Sequence, residues 1–238
     1  MRRFGVVLIV AATVLNLNGC KADRASKESS TIDSQTNDLP KTDAVPVDYL
    51  NNPQDKRPLV ICFGDSLTAG YGTEAGQTYP DYLQADLDSR GYKYRVVNAG
   101  ISGNTTKDGL ERVNSIVAMK PAVVVVEFGG NDGLRGLRIE DTRANLDKIL
   151  ETLKSSGTKI VLAGITLPPD YGPDYIKQFN ATYALLAQRY RVPMLPFLLK
   201  GVFDIEGMMQ PDRTHATANG NKIVAHNVLP FITPLLTK

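Results

Sequence analysis

Cysteine and histidine are scarce in this chain of 238 residues, which has two of each. Cys20 and Cys62 do not form a spacing that resembles a metal site, so the sequence implies no metal and no other cofactor. Cys62 lies in the apolar run LVICF, which favours a buried thiol over a Cys20–Cys62 disulfide. The candidates for a general base are limited to His215 and His226.

An excess of charge of either sign is also lacking. The formal net charge is +2, and Arg2 and Arg3 lie in a segment that resembles a signal peptide. Without these two arginines, 25 of the 27 basic residues remain against 25 acidic residues. Nucleic-acid-binding proteins usually carry a basic patch or stripe. The composition therefore gives no indication of nucleic acid as a partner.

The apolar run Phe4–Leu15 is too short to cross a bilayer, which takes roughly 20 residues. Because Arg2 and Arg3 precede it, it is typical of a signal peptide. The sequence LNGC that ends at Cys20 resembles the lipobox of bacterial lipoproteins, which implies cleavage after residue 19 and lipidation of Cys20. In the lipoproteins of enteric bacteria, Asp after the lipidated cysteine is the retention signal. Because this chain has Lys21 at that position, the resemblance favours the outer membrane. The N-terminus therefore predicts a periplasmic protein with a lipid anchor. The alternatives are an ordinary secretory signal, in which Cys20 is not lipidated, and an uncleaved membrane anchor.

The segment Lys21–Arg57 is rich in Ser, Asp, Lys, Thr, Asn and Pro and has few large apolar residues. Such a composition cannot bury enough surface to offset the entropy lost on ordering. As a random coil, the segment would span on the order of 30 to 40 Å. We therefore expect a signal peptide over residues 1–19, the lipidated cysteine and a disordered tether over 20–57, and one domain over 58–238.

From Pro58 onward, short apolar runs alternate with longer amphipathic segments. Nearly continuous Val- and Ile-rich runs are typical of strands that are buried on both faces. The predicted strands are Leu59–Phe63, Tyr94–Ala99, Ala122–Phe128, Lys159–Ile165 and Pro193–Leu199, and the predicted helices are Tyr79–Arg90, Lys107–Met119, Ile139–Ser155, Asp174–Tyr190 and Ala218–Leu229. This order predicts an α/β fold, a three-layer αβα sandwich around a five-stranded parallel sheet.

Three polar or glycine-rich segments follow the first three predicted strands. They contain Ser66, Gly103 and Asn131, respectively. Ligands of open parallel sheets bind outside the carboxyl ends of the strands. We therefore expect these three residues to converge on one edge of the sheet.

A serine is a nucleophile only when an oriented base takes its proton. His215 follows Asp212 by three residues, and on one helical turn this spacing places both on the same face. Asp212 can then accept the Nδ1 proton of His215 and leave Nε2 toward Ser66. His226 has no acid at that offset and is interpreted as a partly buried helix residue.

The same segments offer donors for an oxyanion, which are the backbone N–H groups of Ser66 and Gly103 and the side-chain amide of Asn131. A nucleophile elbow of the G-x-S-x-G type would require glycine at position 68, where this chain has Thr68. The sequence therefore does not match the α/β-hydrolase pattern.

The sequence GDSL at Gly64–Leu67, the glycine at 103, the GGND that contains Asn131, and the pair Asp212 and His215 together resemble the GDSL family of serine esterases, also called SGNH hydrolases. The likeness covers Leu59–Pro234, and within the family it is strongest to the periplasmic thioesterase, lysophospholipase and arylesterase type. The resemblance implies a flavodoxin-like fold and catalysis without a cofactor.

The resemblance also implies roles for single residues. Ser66 would be the nucleophile, His215 the general base and Asp212 its orienting acid, with the donors named above as the oxyanion hole. A mobile loop that closes over the acyl chain would consist of Asp132, Gly133, Leu134, Arg135 and Gly136. Asp65 is interpreted as structural. The sequence departs from the family at Arg213 and Ala216, where Gly and Pro are common, which would alter the loop that carries the acid and the base.

The expected reaction is hydrolysis of an acyl ester or thioester through an acyl-enzyme, with a small acyl ester or a lysolipid as substrate. A carbohydrate acetylesterase on the same site is an alternative, because pocket shape decides between substrates. A binding lipoprotein without catalysis is another, although the complete set of site residues argues against it.

Overall fold

Residues 55–238 are described by a computed structural model. The predicted signal peptide, Cys20 and the tether up to residue 54 lie outside these residues. Arg57 was assigned to the tether, yet its Nη1 donates to the backbone carbonyl of Tyr94 at 3.3 Å and its Nη2 to the Asp55 carboxylate at 2.8 Å. The packed part of the chain therefore includes Asp55, ahead of the predicted domain start at residue 58.

Parallel strands and α-helices alternate along the described residues. The strands are β1 (Leu59–Gly64), β2 (Arg95–Asn98), β3 (Val123–Glu127), β4 (Lys159–Ala163) and β5 (Met194–Leu195). The helices are α1 (Ser66–Ala69), α2 (Tyr79–Ser89), α3 (Thr106–Ala118), α4 (Gly130–Leu134), α5 (Ile139–Ser155), α6 (Pro173–Tyr190) and α7 (Ala218–Ile232), with 3₁₀ turns at Pro169–Tyr171 and Thr233–Leu235. The sheet order is β2-β1-β3-β4-β5. The predicted α/β fold with a five-stranded parallel sheet is confirmed.

The two central strands are buried on both faces. Val60 of β1 lies opposite Val123 of β3, and the register ends with Gly64 opposite Glu127. Helix α2 packs against α7, while α5 packs against both α3 and α6. Because helices cover both faces, β3 consists of buried residues without the polar alternation of a half-exposed strand.

Strand β5 is shorter than the predicted Pro193–Leu199, because it spans only Met194–Leu195. Pro196 has no N–H to donate to a strand ladder, so the pairing ends before it. The chain then turns, and the Lys200 N–H donates to the Phe197 carbonyl at 3.2 Å. The apolar character of the following residues therefore reflects packing of this turn rather than a longer strand.

Helices α1 and α4 were not predicted. They have four and five residues, which is too short for a helical period to be visible in the sequence. Each begins within three residues of the carboxyl end of a central strand, β1 or β3. They are the elements that carry Ser66 and Asn131.

Cys62 lies in β1 with no exposed surface and is a free thiol. Burial raises the pKa of Cys62 to about 12, which keeps the thiol protonated and unreactive at neutral pH. The prediction of a buried thiol is confirmed. Within residues 55–238, none of the helices combines the length and the apolar character needed to cross a membrane.

Candidate active site

The structure brings the predicted site residues together at the carboxyl edge of the sheet. Ser66 opens α1 two residues after the end of β1, and Gly103 lies in the turn that follows β2. Asn131 lies in α4, which follows β3. Asp212 and His215 lie in the loop that precedes α7. This is the edge at which ligands of open parallel sheets bind.

A continuous chain of hydrogen bonds links the candidate acid, base and nucleophile. His215 Nε2 lies 2.8 Å from Ser66 Oγ, and His215 Nδ1 lies 2.7 Å from Asp212 Oδ2. With the proton on Nδ1, the ring presents an unprotonated Nε2 to the serine hydroxyl. This arrangement can take the hydroxyl proton as the serine attacks.

Asp212 and His215 do not lie on a helical turn, as their spacing suggested. The segment is an irregular turn in which Asp212 Oδ1 accepts the backbone N–H groups of Thr214 at 2.9 Å and His215 at 3.0 Å. Partial burial raises the pKa of Asp212, but these hydrogen bonds, and the one from the His215 ring, outweigh it and hold the pKa below its usual value. Asp212 is therefore a carboxylate at neutral pH and keeps the ring of His215 in one orientation.

Arg213, one of the two departures from the family pattern, has a backbone φ of +55°. This left-handed conformation favours glycine, the residue that the family resemblance leads us to expect at this position. The arginine accepts the strain without breaking the contact between Asp212 and His215. Asp212 and His215 are therefore in contact even though a residue between them has a backbone conformation that is unfavourable for a side chain.

Tyr71 covers the other face of the base. Its ring lies 4.6 Å from the His215 ring, centroid to centroid, and 46% of the residue is exposed. The Gln210 side chain joins the two segments, because its Nε2 donates to the carbonyls of Tyr71 and Ala216 at 2.7 and 2.9 Å. The tyrosine therefore restricts the movement of His215 on its exposed side.

The amide nitrogen of Asn131 is held by two acceptors. Nδ2 donates to Asp65 Oδ2 at 3.1 Å and to the Asn104 carbonyl at 3.0 Å. Asp65 also accepts the Leu67 N–H through Oδ1 at 3.0 Å, which caps α1 beside the serine. One carboxylate thus links the turn that carries Ser66 to the candidate oxyanion donor on α4.

Gly103 supplies a backbone donor that other residues could offer only under strain. Its φ is +80°, and an added Cβ would meet only Arg135 Nη2, at 3.8 Å. Glycine is therefore required by the backbone conformation and not by lack of space. Within residues 55–238, no protein group accepts the Gly103 N–H, which leaves it available to a substrate.

Arg112 on α3 was missed in the sequence, although it supports this edge from below. Its guanidinium donates to Asn104 Oδ1 at 2.9 Å, to the Ala99 carbonyl at 3.1 Å and to the Gly64 carbonyl at 3.2 Å. It also stacks over the Phe63 ring at 4.8 Å. Burial lowers the pKa of Arg112 to about 10, so the side chain remains a cation at neutral pH.

Glu127, the last residue of β3, was also missed. It has no exposed surface and lies beneath the turn that carries Ser66. Gly64 opposite it has no room for a side chain, because an added Cβ would lie 2.4 Å from Glu127 Oε2. The available signal was a single acidic residue inside the apolar run AVVVVEF.

The first two residues of the predicted substrate loop lie in the interior. Asp132 is 2% exposed and accepts the Thr106 N–H at 2.8 Å, which ties α4 to the start of α3. Gly133 packs so closely on Leu167 that an added Cβ would lie 2.5 Å from it. Both residues are placed to anchor α4.

The remaining three residues of that loop lie at the surface. Leu134 is 37% exposed, and its carbonyl accepts the Tyr171 hydroxyl at 2.8 Å. Arg135 Nη2 donates to the Gly103 carbonyl at 2.9 Å, and Gly136 has a φ of +63° in open space. This part of the loop therefore borders the candidate oxyanion site and presents an apolar side chain to solvent.

His226 forms no hydrogen bond with the candidate site residues within residues 55–238. It was expected to be partly buried, but its side chain is 60% exposed and its Nε2 lies 3.4 Å from Asp86 on α2. Within residues 55–238, no group of three or more His, Cys, Asp or Glu side chains is arranged to hold a metal ion.

The chain is similar in sequence to known hydrolases. Residues 62–223 match the GDSL-like lipase/acylhydrolase family. The chain is 42% identical over 178 residues to the esterase TesA of Pseudomonas aeruginosa, which covers 74% of this chain and 89% of TesA. It is 36% identical, also over 178 residues, to thioesterase 1/protease 1/lysophospholipase L1 of Escherichia coli, covering 74% and 84% of the two chains.

A solved structure extends the likeness to three dimensions. The crystal structure of TesA superimposes with a TM-score of 0.73 at 41% sequence identity and covers 75% of this chain and 99% of that chain. The family match includes the strand, the turn and the loop that bring Ser66, Asn131 and His215 together. The chain therefore belongs to the GDSL-like lipase/acylhydrolase family and is an acyl hydrolase.

Proposed function

We propose that the protein is a serine esterase and thioesterase that acts on medium-sized or long acyl chains, with lysolipids as its natural substrate class. The observation that carries the proposal is the hydrogen-bonded chain from Asp212 through His215 to Ser66. The proposed nucleophile is Ser66, the base is His215 and the orienting acid is Asp212. The oxyanion donors are the N–H groups of Ser66 and Gly103 and the Asn131 amide. The two amide hydrogens of Asn131 are bonded to Asp65 and Asn104 in the free site, so one of them turns to the oxyanion when it forms.

The reaction proceeds in two halves. Ser66 Oγ attacks the acyl carbon while its proton moves to His215 Nε2, and the carbonyl oxygen becomes an oxyanion at the three donors. When the tetrahedral intermediate collapses, His215 gives this proton to the leaving alcohol or thiol. A water molecule then attacks the acyl-enzyme and loses its proton to His215. As the bond between the acyl carbon and Ser66 Oγ breaks, His215 returns this proton to Oγ and the acid product leaves.

The preference for longer acyl chains is supported by the apolar residues beside the oxyanion site. Leu134 and Leu137 are 37% and 41% exposed on the segment that Arg135 ties to Gly103. An acyl chain whose carbonyl oxygen lies at Gly103 can cover these leucines and remove their surface from water. Burial of apolar surface contributes about 25 cal/mol per Å², so each additional methylene is expected to improve binding until the surface ends.

The proposed location is the periplasm, with a lipid anchor on Cys20. The lipobox-like LNGC and Lys21 support this, and they favour the outer membrane. An anchored enzyme would encounter lysolipids in the adjacent leaflet. Acyl-CoA is cytoplasmic, so thioester hydrolysis would be a capability of the site rather than its role.

Replacement of Ser66 tests the proposed chemistry. Ser66→Ala should abolish hydrolysis of p-nitrophenyl esters while the thermal unfolding transition remains, because the lost hydroxyl is half-buried and bonds to His215 rather than to the core. Ser115→Ala, an exposed serine on α3, is the matched control and should retain full activity. Activity retained by Ser66→Ala would refute the proposal.

A panel of purified-enzyme rates tests the substrate class. The panel should contain esters, thioesters and lysophospholipids of graded chain length, and kcat/KM should rise with chain length. Hydrolysis restricted to acetyl esters would instead establish the acetylesterase alternative. A folded wild-type protein that hydrolysed none of these substrates would refute the proposed substrate class.

Substitution of Cys20 tests the anchor. Cys20→Ala should move the protein from the detergent-soluble membrane fraction to the soluble fraction, and the N-terminal peptide should lose the mass of its lipid. Asn18→Ala is the control, because a small residue is commoner at that position of a lipobox and lipidation should persist. Equal distribution of wild type and Cys20→Ala would exclude lipidation of this thiol.

A further inference from the structure

Two carboxyl groups lie against each other beneath the Ser66 turn. Glu127 has no exposed surface, and Asp65 is 2% exposed. Glu127 Oε2 lies 3.2 Å from the Asp65 backbone N, and the two carboxyl groups act on each other directly. Two carboxylates in such a contact would repel each other in a medium that screens charge poorly, so one of them is expected to carry a proton.

The donors around the pair are distributed unequally. Asp65 accepts the Leu67 N–H and the Asn131 amide, one on each oxygen. Glu127 Oε2 accepts the Thr68 hydroxyl at 2.8 Å and the Asp65 N–H at 3.2 Å, whereas no described group donates to Glu127 Oε1. An ionised carboxylate would leave one buried oxygen without a donor, which is costly, whereas a carboxylic acid supplies the missing proton itself.

The surrounding charges favour the same distribution. The other titratable side chains that act on Glu127 are the buried phenols of Tyr79 and Tyr183, which are neutral. Burial raises the pKa of Asp65 as well, but the Leu67 N–H, Glu127 and the Asn131 amide favour its carboxylate form and hold the pKa to about 6, so Asp65 is the ionised member at neutral pH. Burial, followed by the Asp65 charge, raises the pKa of Glu127 well above its usual value.

We propose that Glu127 and Asp65 hold a single proton, carried by Glu127, and that this acid–carboxylate pair positions the Asn131 amide at the oxyanion site. Glu127 is a positioning residue, since it acts on Asn131 through Asp65. As an acid, Glu127 donates a hydrogen bond to the Asp65 carboxylate and keeps it in place. The Asn131 amide is then not the main donor that stabilises the negative charge of Asp65. The inference rests on the proposed role of Asn131.

Glutamine and leucine separate the proton from the shape of the side chain. Glu127→Gln keeps a neutral group that donates and accepts, so kcat should stay within about fivefold of wild type. Glu127→Leu removes the donor, so kcat should fall about 10- to 100-fold with KM nearly unchanged, less than the loss of an oxyanion donor itself. Glu111→Gln, at an exposed position of α3, is the matched control and should change neither constant.

Two measurements report the proton directly and do not depend on activity. The infrared spectrum of the wild type should contain a protonated-carboxyl C=O band at neutral pH, and Glu127→Gln should remove it. A carboxyl whose pKa is raised on folding stabilises the protein below its unfolded value of 4.5 and loses this contribution as the pH rises. The unfolding midpoint of Glu127→Gln should therefore gain on the wild type between about pH 5 and pH 9.

The outcomes distinguish this inference from the proposed function. Absence of the infrared band, or a stability gain of Glu127→Gln that shrinks with rising pH, would show that Glu127 is ionised and overturn the inference even if Ser66 is the nucleophile. A loss of kcat in Glu127→Gln as large as in Glu127→Leu would also overturn it. If Ser66→Ala stayed active, the proposed function would be refuted. The infrared band of the wild type would still show whether the carboxyl pair holds a proton. Should Glu127→Leu not fold, Glu127→Gln and the wild-type spectrum still decide.

Discussion

The nucleophile and the base of the candidate site are held in opposite ways. The turn that carries Ser66 is fixed by side chains from distant parts of the chain, with Arg112, Glu127 and Asn131 bonding to its backbone or to Asp65 across 48 to 66 residues of sequence. His215 is fixed mainly by Asp212, three residues away. The two regions meet in the hydrogen bond between His215 and Ser66, which lie 149 positions apart, and in the contacts of Tyr71 with Gln210 and His215.

Burial differs in the same way. Asp65 beside the nucleophile is 2% exposed, whereas the side chain of Asp212 beside the base is 40% exposed. A local, exposed turn can adjust its position by small movements, while a side that is bonded into the sheet edge cannot. We infer that the Ser66 side sets the geometry and that the His215 loop adapts to it. The predictions below test this difference between the two sides.

The largest effect is expected on the base side, from Asp212→Asn. The substitution preserves the shape but places an amide against His215 Nδ1, which favours the wrong tautomer, so kcat should fall about a thousandfold. Because folding lowers the pKa of Asp212 from 3.8, the wild type gains stability above that pH and loses it as the pH falls through the lowered value. The stability penalty of the variant should therefore shrink between about pH 7 and pH 3.

Asp204→Asn is the control, because Asp204 is an exposed acid near the same loop that pairs with Arg213. It should leave kcat unchanged and have little effect on stability at either pH. An Asp212→Asn variant that kept more than a tenth of wild-type kcat would show that His215 is oriented without the carboxylate. The orientation of His215 would then not depend on its contact with Asp212, three residues away.

The same contrast explains which features the sequence predicts. The Asp212–His215 contact lies within a few residues, so its spacing is visible in the sequence even though the backbone is a turn and not a helix. The long apolar strands β1 and β3 are equally visible, because helices cover both of their faces. Both features can be predicted because each depends on residues that are close together in the sequence.

The support of the nucleophile side was not visible. Arg112 reads as an ordinary polar position of an amphipathic helix, and Glu127 as an interruption of an apolar run. Their functions depend on which loops the fold places next to them, and only the tertiary structure brings Arg112 to the Gly64 carbonyl and Glu127 to the Asp65 N–H. Likewise, Pro196 shortens β5 only because that strand must pair with β4.

An intermediate effect is expected on the nucleophile side, from Arg112→Met. Methionine fills much of the space but leaves Asn104 Oδ1 and the Ala99 carbonyl without their donor, and leaves the Gly64 carbonyl with the Ile101 N–H alone. The free energy of unfolding, measured by urea denaturation, should fall by about 2 to 3 kcal/mol. Because these acceptors belong to the loops that carry Ser66 and Gly103, kcat should fall about tenfold as well.

Arg138→Met is the matched control, since that arginine has a side chain 76% exposed and pairs only with exposed acids in the described structure. It should change stability by less than about 0.5 kcal/mol. If Arg112→Met were as mild as this control, the nucleophile side would not depend on its long-range contacts. The contrast between the two sides would then be lost.

The smallest effect is expected in the backbone of the base side, from Arg213→Gly. The φ of +55° costs a non-glycine residue about 1 kcal/mol, while the greater freedom of glycine in the unfolded chain returns part of this. The exposed ion pair with Asp204 contributes little. The free energy of unfolding of the variant, measured by urea denaturation, should therefore rise by about 0.5 kcal/mol.

Arg213→Ala is the control, because it loses the ion pair but keeps the strain, and it should show no gain in stability. The kcat of both variants should equal that of the wild type, because Asp212 and His215 bond to each other from either side of this position. A fall in kcat for glycine alone would mean that the strained arginine itself stiffens the loop, and that the base side depends on its backbone as much as the nucleophile side depends on its buried side chains.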